Sequence, residues 1–157
     1  MHTFVSGMKI EDEIKQTKPF ESEYQKLVIN IHFTSSWLNS EFVKILKPYA
    51  ISPAQFNVLR ILKGKYPEGH SNQAITERMI DKSSNATRIV DKLLEKKLIE
   101  RKQLQDDRRA VNIKITKKGL DLLSEINLGM KKFKKMMASF DVENAKLMNE
   151  WLDELRK

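Results

Sequence analysis

Apolar positions spaced three, four or seven residues apart run through the first third of the chain and predict a long amphipathic helix. The stripe begins at Phe20 and continues to Ile45, and Pro48 ends the helix because its nitrogen has no hydrogen to donate. Ser52 and Pro53 then combine an N-cap with a proline at the first helical position. The pattern therefore predicts a second helix up to residue 64, followed by the loop GKYPEGH.

The next segment is predicted to hold two shorter helices joined by a tight connection. Ser71 is expected to open the first, which extends to Met79, and either Ser83 or Ser84 is expected to cap the second. The second helix carries apolar residues at i, i+3, i+4, i+7 and i+8, namely Ala86, Ile89, Val90, Leu93 and Leu94. A helix pair of this kind, with a polar outer face on its second member, is typical of a helix-turn-helix.

An alternating pattern then predicts a hairpin, and two helices follow it. Residues 98–104 form the first strand, residues 105–110 the connection, and Val111, Ile113 and Ile115 lie on one face of the second strand. Thr116 is expected to cap a long helix with inward residues Leu120, Leu123, Ile126, Met130, Phe133 and Met137. Asp141 is expected to start a last helix with apolar residues Val142, Ala145, Met148, Leu152 and Leu155. The predicted fold is mainly α with a small two-stranded β-wing, a winged helix-turn-helix between longer helices.

Positive charge is concentrated in the segment that holds the predicted helix-turn-helix and hairpin. The chain has 157 residues and a formal net charge of +8, and residues 78–118 contain 13 Lys or Arg against 6 Asp or Glu. Nearly the whole excess therefore lies in one quarter of the chain. It indicates either an anion-binding face, most often for nucleic acid, or a solvated surface, and charge alone does not separate the two.

The predicted hairpin tip, QDDRRA, has a composition that favours DNA binding. A connection that merely reverses the chain would more naturally carry Asn-Gly or Asp-Gly than two arginines. Arginine at a projecting tip can enter the DNA minor groove, and an adjacent carboxylate can position it before binding. The alternative is a solvated salt-bridge cluster that contributes little to stability.

These residues resemble a known family. The run DDRRAVNIKITKKG fits the D-x-R-x5-[LI]-T-x-x-G wing signature of the multiple-antibiotic-resistance regulator (MarR) family. SPAQFNVLRIL is similar to that family's second helix, and SSNATRIVDKLLEKKLIER to its recognition helix and first wing strand. The likeness extends in element order from Phe20 to the C-terminus and is specific across residues 52–119. Two departures are Lys97, where the family usually has Gly in a left-handed helix C-cap, and Ile75-Thr76 in place of Leu-Ala.

The resemblance implies a cytoplasmic, homodimeric transcriptional regulator. Residues 20–157 would form the winged helix-turn-helix domain, with a DNA-binding lobe at about 52–118. The dimerisation helices would lie at about 20–47 and 117–156, and residues 1–19 would be a tail or a short helix. The partner would be double-stranded DNA with an inverted-repeat operator. In many members of this family a small, often phenolic effector releases the DNA, but the sequence assigns no effector-binding residues and leaves the existence of an effector open.

Individual DNA contacts can be predicted on the second helix of the pair and on the wing. Since the first residues of a recognition helix reach base edges, Asn85 and Arg88 are predicted to contact bases, with Ser84 and Thr87 assisting and Lys92 on a phosphate. On the wing the predicted contacts are Asp107, Arg108 and Arg109.

Other classes of function find less support. The chain has no cysteine, which excludes disulfides, thiolate metal ligands and thiol redox sensing. The three histidines, His2, His32 and His70, are too far apart for a metal motif, and neither a catalytic site, a cofactor nor a membrane span is predicted. A winged helix that binds only proteins is one alternative. RNA binding is a weaker one, because no aromatic residues interleave the basic segment.

Overall fold

Helices dominate the computed structural model, which describes residues 8–103 and 111–157. In chain order the elements are α1 (Ile10–Glu13), α2 (Glu23–Leu46), a 3₁₀ turn (Lys47–Tyr49), α3 (Pro53–Gly64), α4 (Asn72–Arg78), α5 (Ala86–Glu95), β1 (Ile99–Gln103), β2 (Val111–Ile115), α6 (Lys117–Gly129), α7 (Lys131–Ala138) and α8 (Val142–Glu154). The predicted mainly α fold with a two-stranded antiparallel wing is confirmed. The predicted hairpin tip, residues 105–110, lies outside the described residues.

The chain divides into two units, Met1–Phe42 and Val43–Lys157. In the first unit, α1 is a single helical turn that buries Ile10, and Lys26 on α2 forms a 2.5 Å ion pair with Glu11. α2 begins three residues after the predicted start at Phe20. The reason is local. The Ser22 hydroxyl accepts a hydrogen bond from the Gln25 N–H (3.2 Å), so Ser22 caps the helix and α2 starts at the next residue.

The hydrophobic core of the second unit lies between α3, α5, the wing and α6. Its fully buried side chains are Leu46, Val58, Leu59, Leu62, Ile75, Val90, Leu93, Ile113, Leu123 and Ile126. α3, which contributes to this core, begins with a complete capping box. The Ser52 hydroxyl accepts from the Gln55 N–H (3.2 Å), and the Gln55 side chain accepts from the Ser52 N–H (3.0 Å). The predicted helix from Ser52 to Gly64 is confirmed.

The helix-turn-helix is present, but its second helix is capped by a residue other than the predicted ones. α4 has the predicted cap, Ser71, whose hydroxyl accepts from the Ala74 N–H. The cap of α5 is Asn85, whose side-chain oxygen accepts from the Arg88 N–H at 3.0 Å. The prediction of Ser83 or Ser84 as the cap is wrong because both hydroxyls donate instead to the carboxylate of Asp81 (2.6 and 2.7 Å).

The second strand of the wing is held at its centre by a contact that the sequence pattern did not predict. β1 and β2 pair antiparallel, with Ile99 opposite Ile115 and Arg101 opposite Ile113. On the other edge of β2, the backbone of His70 exchanges two 2.9 Å hydrogen bonds with Ile113. Gly69 permits this approach, since a Cβ there would lie 2.3 Å from the Ile113 carbonyl oxygen.

Thr116 and Gly119 fix the start of α6 against the end of α5. The Thr116 hydroxyl accepts from the Gly119 N–H (3.2 Å), as an N-cap, and donates to the carbonyl of Lys97 (2.9 Å). A Cβ on Gly119 would lie 2.3 Å from the Leu98 carbonyl oxygen, so only glycine fits there. The T-x-x-G portion of the wing signature is thereby explained by backbone packing.

Lys97 carries a backbone conformation that normally favours glycine. Its φ is 59°, in the left-handed region. Its N–H donates to the Leu94 carbonyl (2.8 Å), and the Leu98 N–H donates to the Leu93 carbonyl (3.1 Å), which together form a Schellman motif. The turn therefore has the conformation that glycine would adopt at this position, and the backbone of Lys97 is strained in it.

The long helix predicted after Thr116 is interrupted. α6 ends at Gly129, Met130 is a turn residue, and α7 begins at Lys131. At Met130 the ψ angle is −1°, which departs from α-helical values, and the Tyr49 hydroxyl donates to the Glu125 carbonyl (3.2 Å) in the last turn of α6. The prediction that Met137 points inward is wrong for this chain, since 44% of that residue is exposed.

α8 begins as predicted, because the Asp141 carboxylate accepts from the N–H groups of Glu143 and Asn144. Its apolar face is nevertheless exposed at Val142, Leu147, Met148, Trp151 and Leu155. α2 in the first unit likewise exposes Tyr24, Leu27, Val28, Phe33 and Trp37. Within residues 8–103 and 111–157, no helix has both the length and the apolar character required to cross a bilayer.

Replacing Lys97 with glycine tests the strain in the α5–β1 turn. Lys97→Gly is expected to raise the free energy of unfolding by about 1 kcal/mol, because glycine adopts the left-handed conformation without the Cβ penalty. The melting temperature should rise by roughly 2–4 °C for a chain of this size. Glu95→Gly, two residues earlier in right-handed helix, is the control and should instead lower stability by about 0.5–1 kcal/mol. Equal changes in the free energy of unfolding at both positions would contradict the inference that Lys97 is strained.

Candidate nucleic-acid interface

The outer face of α5 is polar, as the spacing of its buried stripe predicts. Ala86, Val90 and Leu93 are buried on the inner face, and Ile89 and Leu94 are partly buried beside them. The exposed residues are Asn85, Thr87, Arg88, Asp91, Lys92 and Glu95, whereas Ser84 is half-buried. Of the residues predicted to contact DNA in this region, Thr87, Arg88 and Lys92 therefore lie on α5, Asn85 is its N-cap, and Ser84 lies in the turn before it.

Two of these residues, Arg88 and Lys92, have side chains that contact no partner in the described part of the chain. Neither the Arg88 guanidinium nor the Lys92 ammonium forms a hydrogen bond or an ion pair with the described part of the chain. They are four residues apart, so their side chains lie on the same face one turn from each other. This arrangement offers two cations to an external anion without breaking an internal contact.

Asn85 and Ser84 are tied into the turn that precedes α5. The Asn85 side-chain oxygen caps the helix, which leaves its amide N–H groups to face outward. Hydrogen bonds from Ser83 and then Ser84 keep the pKa of Asp81 below its usual value, so its carboxylate stays ionised and holds both hydroxyls. Asn85 and Ser84 thus have structural tasks that compete with base contacts.

Thr87 is linked to the first helix of the pair. Its hydroxyl oxygen accepts a 3.1 Å hydrogen bond from the side-chain amide of Asn72, at the start of α4. The other amide atom of Asn72, Oδ1, is buried and has no hydrogen-bond partner among the described residues. The contact fixes α5 against α4, and the Thr87 hydroxyl keeps its own hydrogen for another acceptor.

An ion pair that the sequence reasoning missed connects α5 to the wing. Arg101 on β1 donates to the carboxylate of Asp91 at 3.1 Å, and both side chains are partly exposed. The signal was available, because alternation along β1 places Arg101 on the same face as buried Ile99, the side that packs against α5. The pair holds a guanidinium between recognition helix and wing.

His70 lies beside the centre of β2 and stays neutral at pH values where an exposed histidine begins to protonate. Burial, and secondarily the charges of Arg78 and Lys65, lower the pKa of His70. Its role in the structure is the backbone bridge to Ile113. In the described ranges there is no group of three or more His, Cys, Asp or Glu residues that could hold a metal ion.

The predicted wing contacts Asp107, Arg108 and Arg109 fall outside the described residues. The two strands are described: β1 carries exposed polar side chains, and its Lys102 lies opposite the half-buried Asn112 of β2.

The arrangement of helix-turn-helix, wing and following helix matches known regulators. The profile of the MarR family matches residues 51–111. The chain is 34% identical over 103 residues to the HTH-type transcriptional regulator MhqR of Bacillus subtilis (strain 168), a match that covers 64% of this chain and 68% of MhqR. The chain belongs to the MarR family. It is a transcriptional regulator with the winged helix-turn-helix fold of that family.

Solved structures agree with this MarR family fold. The organohalide-sensing regulator RdhR in its 2,4-dichlorophenol-bound form superposes with a TM-score of 0.76 at 22% identity, covering 90% of this chain and 86% of RdhR. The transcriptional repressor CouR bound to a 23-mer DNA duplex superposes with a TM-score of 0.73 at 18% identity, covering 90% of this chain and 100% of CouR. At these identities the likeness establishes the fold.

The capping role of Asn85 can be separated from DNA contact by two substitutions. Asn85→Ala removes the hydrogen bond to the Arg88 N–H and is expected to lower the free energy of unfolding by about 1 kcal/mol. Asn85→Ser retains a capping oxygen and should leave stability within a few tenths of a kcal/mol of the unchanged protein. Denaturant unfolding followed by circular dichroism measures both. If Asn85→Ser were as destabilising as Asn85→Ala, helix capping would not be the way in which the Asn85 side chain stabilises the protein.

Proposed function

We propose that this MarR family protein is a cytoplasmic repressor that binds a specific inverted-repeat DNA operator as a homodimer and leaves it when a small effector binds. The observation that carries the proposal is the outer face of α5, where Arg88 and Lys92 are exposed and form no ion pair or hydrogen bond with the described residues. DNA binding by CouR, and its description as a repressor, support the same direction of regulation.

The side chains of α5 divide the work of recognition. Arg88 is the principal base-contacting residue, since a guanidinium can donate two hydrogen bonds to one guanine. Asn85 contacts bases through its amide N–H groups while its oxygen caps the helix, and Ser84 and Thr87 assist through hydroxyl hydrogens. Lys92, one turn along the helix, binds a phosphate. On the wing, Arg109 enters the minor groove, Asp107 positions it and Arg108 adds a backbone contact.

The homodimer is proposed because each unit exposes a large apolar helix face. On α8, Met148, Trp151 and Leu155 recur at intervals of three and four residues, and 64% of Trp151 is exposed. Exposed patches of this extent on a soluble domain mark interaction surfaces. Residues 20–47 and 117–156 thus serve dimerisation, residues 52–118 form the DNA-binding lobe, and residues 1–19 lie outside both.

The effector is proposed to be small and apolar or phenolic, in line with the dichlorophenol-bound form of RdhR. No residue is assigned a catalytic role, because transcriptional regulation accounts for the family and for the exposed polar face of α5. A winged helix that binds only protein remains the alternative. It predicts that duplex DNA, whether operator or random, does not bind at physiological salt.

Replacing Arg88 and Lys92 separately tests the division between base and phosphate contacts. On an operator captured from native genomic fragments, Arg88→Ala should weaken binding by roughly 1–3 kcal/mol and weaken random duplex much less. Lys92→Ala should weaken operator and random duplex alike and reduce the salt slope by about one. Lys132→Ala on α7 is the charge-matched control and should change neither. Equal losses on both duplexes for Arg88→Ala would contradict the base contact.

The proposed partnership of Asp107 and Arg109 makes a prediction about sign. Arg109→Ala should weaken operator binding by roughly 1–3 kcal/mol. Asp107→Ala removes a negative charge, so simple electrostatics predicts tighter binding, whereas a positioning role predicts weaker binding because the arginine must then be ordered on association. Fluorescence anisotropy across a salt series measures both variants. Tighter binding by Asp107→Ala would leave Arg109 acting without a positioning carboxylate.

The dimer is tested by placing a charge on the exposed face of α8. The unchanged protein should sediment as a dimer at micromolar concentration, and Trp151→Glu should sediment as a monomer, because burial of an unpaired carboxylate in an apolar interface is strongly unfavourable. Glu150→Gln, at the adjacent exposed position, is the control and should leave the dimer intact. A monomer for the unchanged protein would overturn the proposal.

A further inference from the structure

The side chain of Asn72 lies between the two helices of the helix-turn-helix. Asn72 is the first residue of α4, and its amide nitrogen Nδ2 donates a 3.1 Å hydrogen bond to the Thr87 hydroxyl on α5. The other amide atom, Oδ1, is buried and has no hydrogen-bond partner among the residues that the structure describes. A buried unpaired acceptor destabilises a fold, so this amide is poorly suited to a purely structural task.

The direction of the Asn72 hydrogen bond determines which group of the Thr87 hydroxyl is left over. A hydroxyl has one hydrogen and two lone pairs, and the amide nitrogen occupies one lone pair without taking the hydrogen. The Thr87 hydroxyl donates to no group in the described part of the chain, and Thr87 is exposed on the outer face of α5. It therefore presents its hydrogen to an external acceptor.

Asn72 also opposes a competing conformation of Thr87. Threonine in a helix divides between two χ1 rotamers, because its hydroxyl can donate to the backbone carbonyl three or four residues earlier. That internal hydrogen bond would consume the hydrogen. The bond from Nδ2 of Asn72 instead holds Thr87 in the rotamer that brings its hydroxyl to α4. The rotamer is thus selected before a partner binds, which lowers the ordering cost of association.

The position of Thr87 indicates which acceptors its hydroxyl can reach. Thr87 lies between Asn85 and Arg88, the two residues proposed above to contact bases. The major groove offers purine N7, guanine O6 and thymine O4 as acceptors, and the DNA backbone offers phosphate oxygens. An amino group of adenine or cytosine fits less well, because the hydroxyl hydrogen would then be left unpaired in the interface.

We propose that Asn72 is a positioning residue for DNA recognition, which holds the Thr87 hydroxyl as a hydrogen-bond donor toward an acceptor on the DNA, either a base edge or a phosphate oxygen. Asn72 acts through Thr87 and contacts no DNA itself. The inference rests on the proposed function, since it specifies how one residue of the recognition helix is oriented before the operator binds.

The orientation of Thr87 is tested without DNA by nuclear magnetic resonance. Three-bond couplings from the Thr87 methyl carbon to its backbone nitrogen and carbonyl carbon report χ1. The unchanged protein should show one rotamer, and Asn72→Leu, which has a similar volume and no amide, should show two. Thr76→Val is the matched control on α4, since it removes the hydroxyl that donates to the Asn72 carbonyl and leaves the amide in place. It should leave the Thr87 couplings unchanged. Two rotamers in the unchanged protein would overturn the positioning role.

Thermal stability separates a positioning role from a purely structural one. Asn72→Leu removes the buried unpaired Oδ1 together with the hydrogen bond to Thr87, whose exposed hydroxyl can then bind water. Its melting temperature should therefore equal or exceed that of the unchanged protein, although its DNA binding falls. Asn72→Ala, which cannot overpack the site, replaces it if leucine prevents folding. A loss of DNA binding that only accompanies a lower melting temperature in both variants would contradict the proposal.

The contribution to DNA binding is measured on the operator captured from genomic fragments. Thr87→Val replaces the hydroxyl with a methyl group and should weaken binding roughly two- to tenfold, and Asn72→Leu should weaken it roughly two- to fivefold. The double variant should bind like Thr87→Val alone, because both residues act through one hydroxyl. Additive losses would overturn the inference. Absence of operator binding by the unchanged protein would instead refute the proposed function and leave the rotamer result unaffected.

Operators that lack single acceptors distinguish a base edge from a phosphate. Methylphosphonate linkages remove the charge of individual phosphates, and base analogues remove in turn purine N7, guanine O6 and thymine O4. At one such position Thr87→Val should cause no further loss of affinity, because the partner of its hydroxyl is already absent. A methylphosphonate at that position identifies a phosphate, and a base analogue identifies a base edge. If Thr87→Val weakened binding by the same factor on every substituted operator, its hydroxyl would not donate to the DNA.

Discussion

The junction between the recognition helix and α6 depends on the hydroxyl group of Thr116 and on the glycine at position 119. The Thr116 hydroxyl joins the Lys97 carbonyl to the Gly119 N–H, and glycine at 119 lets the α6 backbone approach the Leu98 carbonyl. The end of α5, the base of both wing strands and the start of α6 therefore meet within a few residues. Any group that shifts one of these elements must shift the others, since the close backbone contact leaves no space to absorb the movement.

Electrostatics adds a second layer to this junction. The carbonyls at the end of α5 carry partial negative charge, and the ammonium group of Lys118 binds one of them. Asp91 holds Arg101 between helix and wing, whereas Arg88 and Lys92 on the outer face form no ion pair or hydrogen bond with the residues that the structure describes. Some cations of the basic segment thus stabilise the fold, and others are left for an external partner. Net charge alone does not distinguish these two groups, but their individual contacts do.

The sequence predicted the elements whose signals are local. The caps at Ser52, Ser71 and Thr116 and the buried stripe of α5 follow from short-range spacing, and all are present. The Asn85 cap was missed because Asp81, a few residues earlier, competes for the serine hydroxyls. The break at Met130 was missed although its signal is local, because Gly129, a weak helix former, stands directly before it. The His70 bridge and the Asp91–Arg101 pair depend on tertiary proximity. The roles of individual DNA-contacting residues remain predictions, since an exposed polar face does not identify which groups meet a base.

The bridge between His70 and Ile113 determines which sheet edge remains open. β2 is paired on one side by β1 and at its centre on the other by His70, so the free edge of the sheet is the outer side of β1. That strand has the sequence IERKQ, and Glu100 and Lys102 form a 3.3 Å ion pair along it. Charged edge strands resist edge-to-edge pairing with a second sheet. The wing is thereby protected against the strand-by-strand growth that leads to fibrous aggregates.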